Sequence, residues 1–250
     1  GALDAVETPA LGKSGGMLMI KIEMLSKQIT GTSSAAPFVG TQTGGTASNA
    51  PVASADWLVG IGASAGGPAA LAEVLSGLPA NFPAAVVIVQ HIDSAFAPGL
   101  IQWLAGQCKL PVVPATDGIP LLKGHVYVVS GDRHGVVDSS GRLIQTDEPR
   151  GCIYLPSIDV FFQSMALNWK KPGTGVLLTG MGRDGAQGLL AVRKAGFPTL
   201  AQDKATSAVY GMPKAAAELG AATNVLPLKS VSIQLRQMAD DPMRSFAADI

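Results

Sequence analysis

WLVGIGASAGG, at residues 57–67, is the stretch that decides the fold of this chain. Residues 57–62 form a short apolar run bounded by glycine, which predicts a buried strand. The small residues at 62–67 predict a tight turn, and residues 68–75 predict a helix with proline in its first turn. A strand that passes through a tight turn into a helix is typical of an α/β domain.

The same alternation of apolar runs and helical patterns continues along the chain. Further buried strands are predicted at residues 84–89, 111–115, 175–179 and 198–201, and helices at residues 97–107, 157–169, 186–195, 213–219 and 230–238. Residues 125–129 and 135–145 predict two strands joined by a glycine-rich turn, which would be an antiparallel hairpin. We therefore predict an α/β fold: a doubly wound, mostly parallel sheet with helices on both faces and the hairpin at one edge.

Composition allows a large core and argues against several classes of partner. The 250 residues are 47% hydrophobic and 14% charged, and Lys plus Arg balance Asp plus Glu at 18 each. A net charge of zero gives no electrostatic footprint for nucleic acid or an acidic membrane surface. Cys108 and Cys152 show neither metal-ligand spacing nor a disulfide framework, and the apolar runs are too short to cross a bilayer. We expect a cytoplasmic protein without metal, nucleic acid or membrane insertion.

Three segments of different character divide the chain. Residues 31–55 contain no charged residue and are dominated by Gly, Ser, Thr and Ala, which predicts a flexible linker. Before the linker, apolar residues from Leu18 to Ile29 recur at helical spacing, which indicates an amphipathic helix. That helix is isolated, is the last helix of a neighbouring domain, or pairs with a partner. Residues 56–250 form the domain that carries the alternating pattern.

Three loops at predicted strand ends carry residues capable of nucleophilic catalysis. Ligand sites in such sheets lie beyond the carboxyl ends of the strands. Ser64 lies in a G-x-S-x-G pattern, whose small neighbours permit a sharp turn that raises a hydroxyl above the sheet. His91 directly follows the strand at 84–89, and Asp184 is bracketed by glycines before a helix. Together they supply a nucleophile, a base and an orienting acid on one rim of the sheet.

Each of these residues also has a structural interpretation. Serine is a common helix N-cap, and aspartate is common near a helix N-terminus. His125 and His134 lie at the predicted hairpin, where we expect structural or solvated side chains. If Ser64 is a nucleophile, the backbone N–H groups of Ala65 and of Met181 in the facing loop are candidate donors to an oxyanion.

Two rival functions share parts of this pattern. Gly60, Gly62 and Gly66 form a variant of the dinucleotide-binding fingerprint, and Asp93 could bind a ribose hydroxyl, which leaves a nicotinamide-dependent oxidoreductase open. That fingerprint requires neither a serine in the turn nor a second glycine-rich loop with Asp184. The common α/β-hydrolase fold places its histidine after the acid, and no histidine follows Asp184, so that fold is excluded.

Six stretches, in this order and spacing, resemble the protein-glutamate methylesterase family of bacterial chemotaxis: residues 60–67, 90–91, 131–134, 156–159, 178–185 and 211–213. The resemblance implies a Ser–His–Asp triad at Ser64, His91 and Asp184. It implies hydrolysis of methyl esters on glutamates of chemoreceptor cytoplasmic helices, and many family members also deamidate receptor glutamines. It implies no metal or organic cofactor.

The resemblance extends to the start of the chain but includes departures. Residues 1–30 are similar to the C-terminal remnant of a response-regulator receiver domain, without its phosphoacceptor half, which implies regulation by that domain. Ala65 stands where the family commonly has threonine, Leu155 where it commonly has arginine, and Thr8 where receivers have lysine. Ala65 and Leu155 leave open a catalytically degenerate module that only binds receptor tails or a partner, and Thr8 leaves open whether phosphorylation controls the protein.

Overall fold

The structure is a computed structural model that describes residues 54–240. The predicted receiver remnant at residues 1–30 and nearly all of the predicted linker at 31–55 lie outside the described residues and stay predictions. Among the described residues, none of the helices has the length and apolar character needed to cross a membrane.

Two sheets organise the described part of the chain. Its strands are β1 (Leu58–Ala63), β2 (Ala85–Gln90), β3 (Val112–Pro114), β4 (Ile119–Pro120), β5 (Val126–Val129), β6 (His134–Val137), β7 (Arg142–Thr146), β8 (Gly173–Leu177), β9 (Thr199–Gln202) and β10 (Asn224–Leu226). Its helices are α1 (Gly67–Ser76), α2 (Ala97–Ala105), α3 (Ile158–Asn168), α4 (Ala186–Lys194), α5 (Met212–Glu218) and α6 (Leu228–Asp240). The main sheet has the order β10-β9-β8-β1-β2-β5-β3 with every pair parallel, and β4, β7 and β6 form a small antiparallel sheet. The predicted α/β class is confirmed.

The central strands are buried along their whole length, as expected of a parallel sheet covered by helices. β1, β2, β5 and β8 contain no exposed residue. One face of the sheet forms a core with α3, α4 and α5, and α1 packs against α6 elsewhere in the domain. Phe161 and Phe162, the aromatic residues of α3, are buried in that core.

The strands of the predicted hairpin differ from those observed. β5 pairs with β2 and β3 inside the parallel sheet, so the expected pairing of residues 125–129 with 135–145 is wrong. The hairpin is formed instead by β6 and β7, in register from His134↔Thr146 to Val137↔Leu143. The apolar run of β5 is fully buried, which suits a central parallel strand rather than a hairpin with one exposed face. β4 and β10 are too short for a recognisable pattern and were not predicted.

Two glycines in β1 let α3 pack directly on the sheet. A Cβ atom at Gly60 would lie 2.7 Å from Cε1 of Phe161, and one at Gly62 would clash with Cγ2 of Ile158. Close helix packing therefore accounts for two of the glycines that also fit a dinucleotide fingerprint. The same packing brings the N-terminus of α3 to the carboxyl end of β1, where the candidate site lies.

Candidate active site

The candidate residues meet at the point where the strand order reverses. The chain runs from β1 outward to β2 on one side and returns to β8 on the other side of β1. A crevice opens beyond the carboxyl ends of the strands at such a reversal. Ser64 directly follows β1, His91 directly follows β2, and the loop at residues 178–185 follows β8.

Ser64 occupies a tight turn that is fixed by its backbone. Its N–H donates to the carbonyl oxygen of Thr179 at 3.0 Å, and its own carbonyl accepts from the N–H of Gly67 at 2.7 Å. Gly66 adopts a left-handed φ of 77° and is the N-cap of α1. The interpretation of Ser64 as the helix N-cap is therefore wrong, and its half-buried hydroxyl forms no hydrogen bond within residues 54–240.

His91 and Asp184 are in direct contact. Nε2 of His91 lies 2.8 Å from Oδ2 of Asp184, and the two side chains are only 11% and 6% exposed. The residues are 93 positions apart in the chain, so the contact is created by the sheet and not by local structure.

The N-terminus of α3 holds the Asp184 carboxylate. Oδ2 also accepts from the N–H of Ile158 at 2.7 Å, while Oδ1 accepts from the Ser157 hydroxyl at 2.9 Å and the Asp159 N–H at 3.1 Å. Burial acts to raise the pKa of Asp184, but the hydrogen bonds from His91 and from the start of α3 outweigh burial and hold that pKa below its ordinary value. Asp184 is therefore a carboxylate that accepts four hydrogen bonds.

This arrangement assigns the two ring nitrogens of His91. Because a carboxylate can only accept, neutral His91 carries its proton on Nε2 and a lone pair on Nδ1. Nδ1 is buried and has no hydrogen-bond partner within the described residues. Its lone pair is therefore free to accept a proton.

Ser64 and His91 are adjacent but not joined. β1 and β2 pair in register up to Ala63↔Gln90, so the next residues on the two strands are Ser64 and His91. The Gln90 side chain bridges the two turns, because its Nε2 donates to the Ser64 carbonyl at 3.0 Å and to the His91 carbonyl at 2.9 Å. No hydrogen bond links the Ser64 hydroxyl to the imidazole in residues 54–240.

The loop after β8 approaches the serine turn from the other side. The Thr179 hydroxyl donates to the Ala65 carbonyl at 2.9 Å, and a Cβ atom at Gly180 would lie 2.8 Å from Cβ of Ser64. Only glycine fits at position 180. In the described part of the chain, the backbone N–H groups of Ala65 and Met181 donate no hydrogen bond, so both remain available to a ligand.

Several residues of the site were not singled out from the sequence. Gln90 bridges the two turns, Gln202 accepts from the Thr179 N–H at 2.8 Å, and the Ser157 hydroxyl donates to Asp184. Tyr154 stacks on the His91 ring, with centroids 4.4 Å apart and planes 7° apart. For Ser157 the sequence did contain an indication. A serine just before an apolar helix is typical of an N-cap, and the free N–H groups of the first helical turn attract an anion such as a carboxylate.

Asp159 ties the start of α3 to α4. Its Oδ1 accepts from the Gly188 N–H at 2.6 Å. Burial raises the pKa of Asp159, and the neighbouring negative charge of Asp184 raises it further, although hydrogen bonds from Gly188 and Gly185 act in the opposite direction. The two carboxyl groups therefore differ in role: Asp184 holds a charge, and Asp159 joins two helix N-termini.

The remaining candidates lie outside this contact network. His134 is buried and accepts the Ser157 N–H on Nδ1 at 3.0 Å, and His125 bonds the Lys123 carbonyl. Both are structural, as expected. Asp93 is exposed, and its Oδ1 accepts a hydrogen bond from the Ala95 N–H at 2.9 Å. Among the described residues, no group of His, Cys, Asp and Glu side chains is arranged to hold a metal ion.

A cavity of about 440 Å³ opens beside His91. Its lining includes His91 and Asp93 from the turn after β2, together with Asp132, Tyr154 and Leu155. Leu155 is 48% exposed and Met181, in the facing loop, is 71% exposed. The cavity therefore adjoins His91, and both polar and apolar side chains contribute to its lining.

Comparison with known proteins identifies close relatives. A family model described as CheB methylesterase matches residues 59–235. The chain is 51% identical to the protein-glutamate methylesterase/protein-glutamine glutaminase 2 of Cupriavidus metallidurans over 94% of this chain and 69% of the relative. It is 47% identical to the corresponding protein 3 of Pseudomonas aeruginosa over 96% of this chain and 71% of the relative. The crystal structure of the Thermotoga maritima CheB methylesterase catalytic domain superposes with a TM-score of 0.69 at 35% identity, covering 72% of this chain and 97% of that domain.

Proposed function

The chain belongs to the CheB methylesterase family, and from this premise we propose that it is a protein-glutamate methylesterase and glutaminase that acts on chemoreceptors. Its substrates are methyl-esterified glutamates and glutamines on receptor cytoplasmic helices. We further propose a Ser–His–Asp mechanism, with Ser64 as nucleophile, His91 as base and Asp184 as the orienting acid.

One observation carries the mechanism. His91 has Nε2 fixed on the Asp184 carboxylate and a buried, unpaired Nδ1 at the strand end next to Ser64. An imidazole in this state can take a proton on Nδ1 while the carboxylate stabilises the resulting imidazolium. The base nitrogen in this proposal is Nδ1, the opposite of the serine-protease arrangement, where the carboxylate binds Nδ1.

The proposed reaction has two halves. In the first, Ser64 Oγ attacks the ester carbonyl carbon and its proton passes to His91 Nδ1. The tetrahedral intermediate collapses, and the leaving methoxide takes that proton to depart as methanol. In the second, water attacks the acyl-enzyme, its proton passes to Nδ1, and Ser64 Oγ recovers the proton as glutamate is released. With glutamine, ammonia takes the place of methanol.

Backbone N–H groups are the candidate stabilisers of the intermediate. The N–H groups of Ala65 and Met181 are unpaired within the described residues and lie on the two loops that meet at Gly180. Each donor that binds the developing oxyanion is worth about 3 kcal/mol in the transition state. This contribution needs no side chain, so alanine at position 65 is compatible with catalysis.

Methanol release from a methylated receptor cytoplasmic domain, combined with labelling by a fluorophosphonate probe, tests the proposal. The wild-type protein should release methanol and carry the probe on Ser64, as located by mass spectrometry. Ser64→Ala should lose labelling and lower methanol release by on the order of 10⁴-fold or more. Ser76→Ala is the matched control, because Ser76 lies on α1 and only bonds the Glu73 carbonyl.

Two outcomes would count against the proposal. Methanol release retained by Ser64→Ala, with the circular dichroism spectrum unchanged, would remove Ser64 from the role of nucleophile. A wild-type protein that binds receptor but neither labels nor releases methanol would be the degenerate binding module. Control of the site by a receiver domain stays a prediction, since residues 1–30 lie outside the described part.

A further inference from the structure

Tyr154 covers one face of the His91 imidazole. The ring centroids are 4.4 Å apart and the ring planes differ by 7°, which is a stacked arrangement. The Tyr154 hydroxyl lies close to the loop after β8, since a Cβ atom at Gly182 would sit 2.7 Å from its oxygen. The tyrosine ring therefore extends from the His91 imidazole to the loop that carries Asp184.

The segment that carries Tyr154 also holds Asp184. Three residues after Tyr154, Ser157 is buried, donates its hydroxyl to Asp184 at 2.9 Å and donates its N–H to His134 at 3.0 Å. Pro156 between them is buried. The short stretch at residues 154–157 thus touches both members of the His91–Asp184 pair and is itself anchored on β6.

A single hydrogen bond at Nε2 does not fix the plane of the His91 imidazole. The bond to Asp184 fixes the position of Nε2, but the ring can still turn about the line from Nε2 to Cβ. Such a turn would change the direction in which the Nδ1 lone pair points. A nearly parallel aromatic ring against the imidazole removes that freedom, because turning the imidazole would break the stack or drive it into the tyrosine ring.

We propose that Tyr154 is a positioning residue for the reaction, and that its stacked ring fixes the plane of His91 so that Nδ1 stays directed towards Ser64. This inference rests on the proposed function of Ser64 and His91. The stack also strengthens during the reaction, since an aromatic face attracts the positive charge that His91 gains when it takes the proton. Tyr154 therefore acts on the reaction through His91 and does not itself contact the reacting atoms.

Three variants separate the ring from the hydroxyl and from the segment. Tyr154→Phe keeps the aromatic face, and Tyr154→Leu keeps apolar bulk but removes that face. Cys152→Ala is the control for the same segment, because the exposed Cys152 contacts the Pro149 carbonyl and not His91. We expect Tyr154→Leu to slow fluorophosphonate labelling of Ser64 about 3- to 10-fold, and to lower kcat for methanol release by a similar factor with little change in KM. Tyr154→Phe and Cys152→Ala should stay within about twofold of wild type.

A spectroscopic signature reports the stack without depending on activity. The His91 Cε1–H proton should be displaced upfield by the tyrosine ring current in ¹³C-resolved NMR spectra, with the signal assigned by its loss in His91→Gln. It should stay displaced in Tyr154→Phe and move downfield in Tyr154→Leu. A Tyr154→Leu variant that loses this displacement but labels Ser64 at the wild-type rate would overturn the inference alone. A wild-type protein that shows the displacement but never labels would overturn the proposed function, and the inference with it.

Discussion

Replacing Asp184 by asparagine tests the centre of the site. The two carboxylate oxygens accept four hydrogen bonds: Oδ2 accepts from His91 and Ile158, and Oδ1 accepts from Ser157 and Asp159. Asparagine has the same shape but only one accepting oxygen. Its NH₂ group must therefore point at one of these two pairs of partners.

Both orientations of the asparagine are unfavourable. If the NH₂ group takes the Oδ1 position, it faces the Asp159 N–H, which is also a donor. The Ser157 hydroxyl can rotate to accept a hydrogen bond from the NH₂ group, but the backbone N–H cannot. With NH₂ in the Oδ2 position it faces the Ile158 N–H and demands a lone pair on His91 Nε2, which moves the ring proton to Nδ1. In either case a buried backbone N–H loses its partner, which costs about 1–3 kcal/mol of folding free energy.

The effect on catalysis should be larger than the effect on stability. Both orientations remove the charge that stabilises the imidazolium, and the one with NH₂ in the Oδ2 position also removes the base by changing the tautomer of His91. The same replacement in a serine-protease triad lowers kcat about 10⁴-fold, which is about 5 kcal/mol in the transition state, and we expect a loss of that order here. The melting temperature should fall by several degrees, since about 1 kcal/mol corresponds to about 2–4 °C for a chain of this size.

Methanol release under saturating substrate and thermal unfolding measure the two effects. Asp147→Asn is the matched control, because it makes the same change in an exposed ion pair with Arg133 at 3.0 Å. We expect that control to change kcat by less than twofold and stability by less than about 0.5 kcal/mol. A folded Asp184→Asn protein with kcat within tenfold of wild type would refute the assignment of Asp184 as the group that sets the His91 tautomer.

Three further predictions concern stability. Gly62→Ala should destabilise the domain by about 1–3 kcal/mol in urea unfolding, because the new methyl group meets Ile158. Gly106→Ala is the control and should change stability little, since the nearest atom to its new methyl group would be a carbonyl oxygen at 3.4 Å. Equal effects of the two substitutions would contradict the packing argument. Because the pKa of Asp184 is lowered in the folded state, its contribution to stability is complete above the ordinary value of 3.8 and is lost as pH falls through the folded-state pKa. The difference in unfolding free energy between wild type and Asp184→Asn should therefore shrink below about pH 4, and a difference that stays constant down to about pH 3 would contradict it. The pKa of Asp159 is raised, so its ionisation opposes folding as pH rises, and Asp159→Asn should cost less stability at about pH 7 than Asp184→Asn.

The sequence predicted the strands and helices that build the main sheet. Buried strands in α/β proteins are continuous apolar runs, and each is followed by a helix with its own period, so local pattern was sufficient for β1, β2, β8 and β9. It was insufficient for β5. The run at residues 125–129 is adjacent in the chain to the hairpin strands, and local pattern cannot distinguish a neighbour in sequence from a partner in the sheet.

The same limit applies to the candidate site. Loops at predicted strand ends pointed to Ser64, His91 and Asp184, because the carboxyl ends of parallel strands lie along one edge. Tyr154 lies in a loop with no periodic pattern, so nothing in the sequence indicated that its ring would stack on His91. Gln90 ends an apolar strand, and only the register of β1 and β2 shows that its amide reaches both turns.

The sequence by itself determined the α/β class and the family, and it singled out the candidate side chains of the site, because these depend on residue type and on spacing along the chain. The tertiary structure alone decided that Asp184 binds Nε2 of His91 and leaves Nδ1 unpaired, and that the start of α3 holds the carboxylate. These contacts join residues 93 and 26 positions apart. Their geometry depends on how closely α3 packs on Gly60 and Gly62, which is a property of the folded chain and of no single segment.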